Sequence, residues 1–212
     1  MNKLLIINGS PRYDRGASAT LIEDMKPYIK VPYDVCFSGG LNSFNEELRP
    51  LLKEADSIMF VFPVYVDSLP SNLTYCLKYI YDNREEIAIK KDAKIFVYAQ
   101  CGLHEADQTE TSIDIIRNWA QRMDLQFVQA VGFGASGTLL GAKKFAAGEG
   151  IKRDMPAIIE TLMKAVETGQ GGENQYATVT ISREEYQAAS EAAWRKLALR
   201  NGLEEIDLDK RW

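Results

Sequence analysis

The stretch Ser57-Ile58-Met59-Phe60-Val61-Phe62 has no charged residue and no polar alternation, so a strand built from it has no face fit for water. Such a strand belongs in a sheet covered by helices on both sides. The flanking residues agree. Leu48, Leu51, Leu52 and Ala55 recur at helical spacing before it, and Leu73, Leu77 and Ile80 do so after it, with a helix start at Pro70 or Ser71.

The same alternation runs along most of the chain. Lys3 to Ile7 reads as a first buried strand, Tyr33 to Phe37 as a weaker second ended by Ser38-Gly39-Gly40, Lys94 to Ala99 as a fourth and Leu125 to Phe133 as a fifth. A helix from about Ser18, capped at Ser18 or Thr20, follows the first strand, and Ile113, Ile116, Trp119 and Met123 stripe another after the fourth. Right-handed crossovers then give an α/β fold, a doubly wound sandwich around a five-stranded parallel sheet in the order 2-1-3-4-5. A Gly-rich passage from Gly132 to Gly150 leads to a helix from Lys152 to Glu167. Gly169 to Glu173 reads as a linker. Glu184 to Asn201 reads as a helix with Ala188, Ala192 and Leu199 near one stripe, in a terminal segment that also carries Trp194 and Trp212. The expected organisation is a domain over residues 1–170 and a C-terminal helical extension over 171–212, serving as a dimer contact, a lid or a surface helix.

Charge and composition narrow the partners. The formal charge is −5 and no block of Lys and Arg is interleaved with aromatics, which argues against nucleic acid and against a membrane surface. No apolar run approaches the roughly 18 residues of a membrane span, and the chain turns polar soon after Lys3, too soon for a signal peptide. A cytoplasmic protein is expected. Cys36, Cys76 and Cys101 are scattered and His104 is the single histidine, so neither a disulfide framework nor a metal site is indicated.

In an open parallel sheet, ligands sit beyond the carboxyl ends of the strands, where strand order reverses. Three long connections lie at such ends: residues 9–19, 63–70 and 100–108. In the first, small residues let backbone N–H groups approach an anion, Ser10, Ser18 and Thr20 offer hydroxyls, and Arg12 and Arg15 offer charge ahead of a helix N-terminus. It is not a Walker A loop, because Gly16 is followed by Ala17-Ser18. A literal G-x-G-x-x-G at Gly132 to Gly137 follows the last strand and lacks the βαβ context of a dinucleotide site. The second connection, Pro63 to Pro70, offers Tyr65 and backbone amides to a flat ligand, unless the ring packs on the next helix. In the third, Cys101 reads as a small residue tolerating close approach, with a redox-active thiol the alternative, and His104 as a solvated loop histidine that is, like Tyr65, also a candidate proton donor.

Asn8-Gly9-Ser10-Pro11-Arg12 with Ser18 and Thr20, then Ala55 to Tyr65 and Leu69-Pro70, resembles the flavodoxin-like NAD(P)H-dependent FMN reductases and quinone reductases over about residues 1–135. The resemblance implies a flavodoxin-like three-layer sandwich. It implies FMN with its phosphate on Ser10, Arg12, Ser18, Ala19 and Thr20, and its ring against Pro63, Val64, Tyr65 and Val66, with Gln100, Cys101 and Gly102 on the far side. NAD(P)H would be the electron donor, a small molecule (quinone, nitro or azo compound, or free flavin) the acceptor, and a homodimer the assembly. Two departures stand out. Lys78-Tyr79 occupy the place where many members carry Asp-Arg, and the cysteine cluster of the iron–sulfur branch is absent. Two rivals share the fold: a one-electron carrier of the flavodoxin kind, and a flavin-free interaction module.

Overall fold

The computed structural model describes residues 2–39, 44–204 and 207. Gly40 and Trp212 lie outside them. The chain divides into two compact units, Met1–Val179 and Thr180–Trp212.

In the first unit strands and helices alternate: β1 (Leu4–Asn8), α1 (Ala17–Met25), β2 (Tyr33–Phe37), α2 (Phe44–Glu54), β3 (Ser57–Pro63), α3 (Ser71–Asp82) and α4 (Arg84–Ile87). β4 (Lys94–Gln100), α5 (Glu110–Arg122), β5 (Gln126–Phe133), α6 (Met155–Thr168) and β6 (Gln175–Ala177) complete it. β1 and β3 are buried at every residue. Alternate side chains serve the two faces of the sheet. Leu5, Ile7, Ile58, Phe60 and Phe62 join one core with Leu52 of α2, Leu73 and Ile80 of α3 and Ile113 and Trp119 of α5, where the Phe60 and Trp119 rings meet edge to face at 5.5 Å. Leu4, Ile6, Met59 and Val61 take the opposite parity and are fully buried on the face that carries α1 and α6.

The sheet has six parallel strands in the order β2-β1-β3-β4-β5-β6, not the five expected. The added strand falls just beyond the expected linker, where Gln175-Tyr176-Ala177 offers no apolar run and no fully buried side chain. Backbone and amide contacts hold it instead. Gly134 N–H donates to the Ala177 carbonyl at 2.8 Å, and Asn174 Oδ1 accepts from Ala130 N–H at 3.0 Å. Hydrophobic patterning does not register contacts of that kind. A second difference lies at α1, which begins at Ala17 with Gly16 as N-cap and no side-chain cap, where Ser18 or Thr20 was expected.

The 134–154 passage is longer than a βα connection needs, and an ion pair pins it. Lys152, only 1% exposed, places Nζ 2.9 and 2.7 Å from the two carboxylate oxygens of Asp24 on α1. Burial pushes the Asp24 carboxyl above its ordinary value even with Lys152 opposing. In the second unit, α7 (Arg183–Arg200) starts with a capping box between Ser182 and Glu185. Ala188, Ala192 and Leu199 of α7 are exposed, and Ala198 is its buried residue.

Removing one member of a buried pair leaves an uncompensated charge. Lys152→Met is therefore expected to lower unfolding free energy by about 3–5 kcal/mol in denaturant melts, and Asp24→Leu/Lys152→Met to recover most of that loss. Equal stability of Lys152→Met and the parent chain would contradict this.

Candidate functional site

The carboxyl ends of β1, β3 and β4 bring the three expected loops to one end of the sheet, because these strands are direct neighbours in register from Asn8 to Val61 and from Pro63 to Gln100. In the first loop the organising residue is Asn8. Its Oδ1 accepts from Ser10 N–H at 3.0 Å and its Nδ2 donates to the Tyr13 carbonyl at 3.2 Å, folding the chain back over the end of β1. Ser10 is buried and its Oγ accepts from Arg12 N–H at 3.2 Å. Gly16 is required here, since a Cβ at that position would lie 2.6 Å from Ser10 Oγ. Arg12 and Arg15 both extend into solvent, and the Arg15 guanidinium stands 3.8 Å from the Asp14 carboxylate.

Beyond Gly16 the helix start is open, with no side-chain cap on its first N–H groups. Two hydroxyls line it from within. Ser18 Oγ lies 3.4 Å from Gln100 Nε2, joining the first loop to the end of β4. Thr20 is 7% exposed, and its Oγ1 is buried without a hydrogen-bond partner. An unpaired buried hydroxyl is unfavourable by about 1–3 kcal/mol. A cavity of about 340 Å3 lined by Asn8, Ala19, Thr20, Asp24, Lys143 and Lys152 adjoins this helix start.

The second loop is a tight reversal. Tyr65 and Ser68 exchange backbone hydrogen bonds at 3.0 and 3.2 Å, with Val66 at φ 50° and Asp67 at φ 57°. Positive φ at both central positions suits Asn-Gly, not a β-branched valine. Val66 is 96% exposed, so nothing in the core forces it there. Tyr65 is exposed too, and its N–H is committed to Ser68. Only the N–H groups of Val66 and Asp67 lie outside the turn's own bonds. Pro63 is not part of this loop but the buried last residue of β3, and Val64 N–H donates to the Gln100 carbonyl at 2.7 Å.

The third loop is held by β5. Cys101 N–H donates to the Phe133 carbonyl at 2.9 Å, and Ser136 N–H to the Cys101 carbonyl at 3.0 Å. Burial raises the Cys101 thiol above its ordinary value, so it presents a small neutral surface and not a nucleophilic thiolate. A Cβ on Gly102 would meet nothing, whereas one on Gly134 would come within 2.2 Å of the His104 carbonyl. Close packing of β5 on this loop thus accounts for Gly134 in the G-x-G-x-x-G string.

Asn72 escaped the sequence reading. From the first turn of α3, its Nδ2 reaches the Gly9 carbonyl at 3.1 Å and Ser38 Oγ at 2.7 Å, while its Oδ1 is buried and unpaired. It ties the first loop to the end of β2 and to α3. The only available signal was an amide just after Leu69-Pro70-Ser71, a weak one, since Asn is ordinary in a first helical turn.

No protein-family model matches the chain, and no curated protein matches it. Among solved structures it is similar to a flavone reductase at TM-score 0.56 and 14% identity, over 81% of this chain and 66% of that one. It is similar to a WrbA-like flavodoxin from Agrobacterium tumefaciens at TM-score 0.54 and 9% identity, over 79% and 99% of the two chains. An FMN-dependent NADH-azoreductase from Bacillus anthracis, solved with FMN, matches at TM-score 0.50 and 16% identity, over 81% and 100%. The fold is flavodoxin-like.

The strain at Val66 is testable by itself. Glycine adopts this φ without penalty, so Val66→Gly should raise stability by about 1 kcal/mol in denaturant melts. A destabilised Val66→Gly would show that the turn is not as described.

Proposed function

We propose that this chain is an FMN-dependent NAD(P)H oxidoreductase acting on a small-molecule electron acceptor, such as a quinone, a nitro or azo compound, or a free flavin. The observation that carries the reading is the buried, unpaired Thr20 Oγ1 beside the uncapped start of α1, where a phosphate monoester would find what that helix end lacks. Ser10, Arg12, Ser18, Ala19 and Thr20 would hold the phosphate, with Asn8 and Asn72 fixing the loop around it.

Pro63, Val64, Tyr65 and Val66 on one side and Gln100, Cys101 and Gly102 on the other would flank the ring. FMN, when bound, supplies the capacity to accept hydride from a nicotinamide and to pass electrons on. The chain's own part is positional and electrostatic. The N–H groups of Val66 and Asp67 lie outside the turn's own bonds, and they would answer charge at a ring edge better than the committed N–H of Tyr65. Tyr65 and His104 would be the candidate proton donors to the acceptor. A homodimer completes the reading, and in this account neither nucleic acid nor metal takes part.

The test compares FMN with riboflavin, which lacks the phosphate. Thr20→Val should leave the unliganded chain as stable or about 1 kcal/mol more stable, weaken FMN about tenfold, and leave riboflavin unchanged. Failure of the parent chain to retain FMN, or equal losses for both flavins, would overturn the reading.

A further inference from the structure

The long passage from Gly134 to Asp154 has no part in the three flavin loops, yet it is firmly seated. Ser136–Leu140 form a short helical turn that packs against α1, with Leu139 fully buried. Ala142, 3% exposed, donates its N–H to the Thr138 and Leu139 carbonyls at 3.1 Å each, and Phe145 N–H donates to the Ala142 carbonyl at 3.0 Å. Further along, Lys152 binds Asp24 of α1. Lys143 therefore sits between two anchors on one helix. It lines the cavity of about 340 Å3 that Thr20 also lines.

The charges around that cavity match one by one. Asp24 has Lys152 at 2.7 Å, Glu23 has Lys26 at 2.5 Å, and Asp14 has Arg15 at 3.8 Å. Among the described residues no acid stands within ion-pair distance of Lys143, so its charge is left over. The neighbouring Lys144 is turned elsewhere, its Nζ 5.0 Å from the centre of the Phe145 ring. Two groups on the cavity wall are thus unanswered: the Lys143 ammonium and the buried Thr20 hydroxyl. One ligand chemistry answers both, because an oxyanion accepts from a hydroxyl and neutralises an ammonium.

We propose that Lys143 is a phosphate-binding residue, bringing to the start of α1 a full positive charge from outside the first loop. The inference rests on the FMN reading of the site and names the residue that makes it selective for a phosphorylated flavin. A helix start offers about half a unit of positive charge, against about −1.5 to −2 on a phosphate monoester. The arginines of the first loop extend into solvent and Arg15 already faces Asp14, so their charge acts through water. An ammonium on a four-carbon stem is a compact point charge that meets a phosphate oxygen without a fixed fork geometry. The Asp24–Lys152 pair then has a positional part as well as a structural one. It fixes to α1 the passage that carries Lys143.

Quenching of flavin fluorescence on titration with the chain reads affinity without turnover. Lys143→Met, which removes the charge and keeps the stem, should weaken FMN about tenfold and leave riboflavin unchanged. Lys143→Arg, which keeps the charge, should retain most of the parent's affinity. Rising potassium chloride should weaken FMN on the parent chain and weaken it less on Lys143→Met. Lys144→Met loses the same charge one residue away and should bind both flavins as the parent does. Because Lys143 is exposed and makes no ion pair among the described residues, Lys143→Met should melt with the parent. If the parent binds FMN and Lys143→Met binds it equally well, or loses both flavins alike, or is matched by Lys144→Met, the inference falls and the FMN reading stands. If the parent itself does not hold FMN, both fall together.

Discussion

β3 is buried at every residue from Ser57 to Pro63, and most of the architecture follows from that demand. Its backbone groups need partners on both edges, which β1 and β4 supply in unbroken parallel register. Its side chains need cover on both faces, and only helices returning over the sheet after each strand provide it. Parallel strands with right-handed crossovers put every βα connection at the same end. The end of the sheet at which open α/β folds take their ligands is thereby fixed before any loop residue is considered.

What the loops add is a division between committed and uncommitted polar groups. Asn8 folds the first loop on itself, and Asn72 and Gln100 use their amides to tie that loop region to segments distant in sequence. The N–H groups of Val64 and Cys101 are taken up by neighbouring strands. Against that background the exceptions stand out: Thr20 Oγ1, the start of α1 and the Val66–Asp67 turn. Asn72, Tyr98, Gln175 and Thr178 also carry a buried, unpaired polar atom, so what marks the end where β1, β3 and β4 converge is the combination of an unpaired hydroxyl, an uncapped helix start and a turn with two positive φ angles.

The central strands and the helices between them were legible because burial on both faces writes long apolar runs and helical spacing writes stripes. β6 was not, because backbone pairing and one Asn side chain hold it. The small and hydroxyl residues of the first loop were legible, yet which hydroxyl is unpaired depends on Gln100 reaching Ser18 from a distant strand. The Asp24–Lys152 pair was equally invisible, since its partners are 128 residues apart and each reads alone as an ordinary surface charge. Pro63 was misplaced by one position for a local reason: proline reads as a strand breaker, but at the last residue of β3 it still fits the ladder.

In the proposed oxidoreductase these loops would hold a flavin that a nicotinamide reduces directly. The most direct measurement is the absorbance near 450 nm of the chain loaded with FMN, followed under anaerobic conditions as NADH and then NADPH are added. The flavin band is expected to bleach with one nicotinamide consumed per chain. A chain that holds no flavin, or whose bound flavin keeps its band with both nicotinamides, would contradict it.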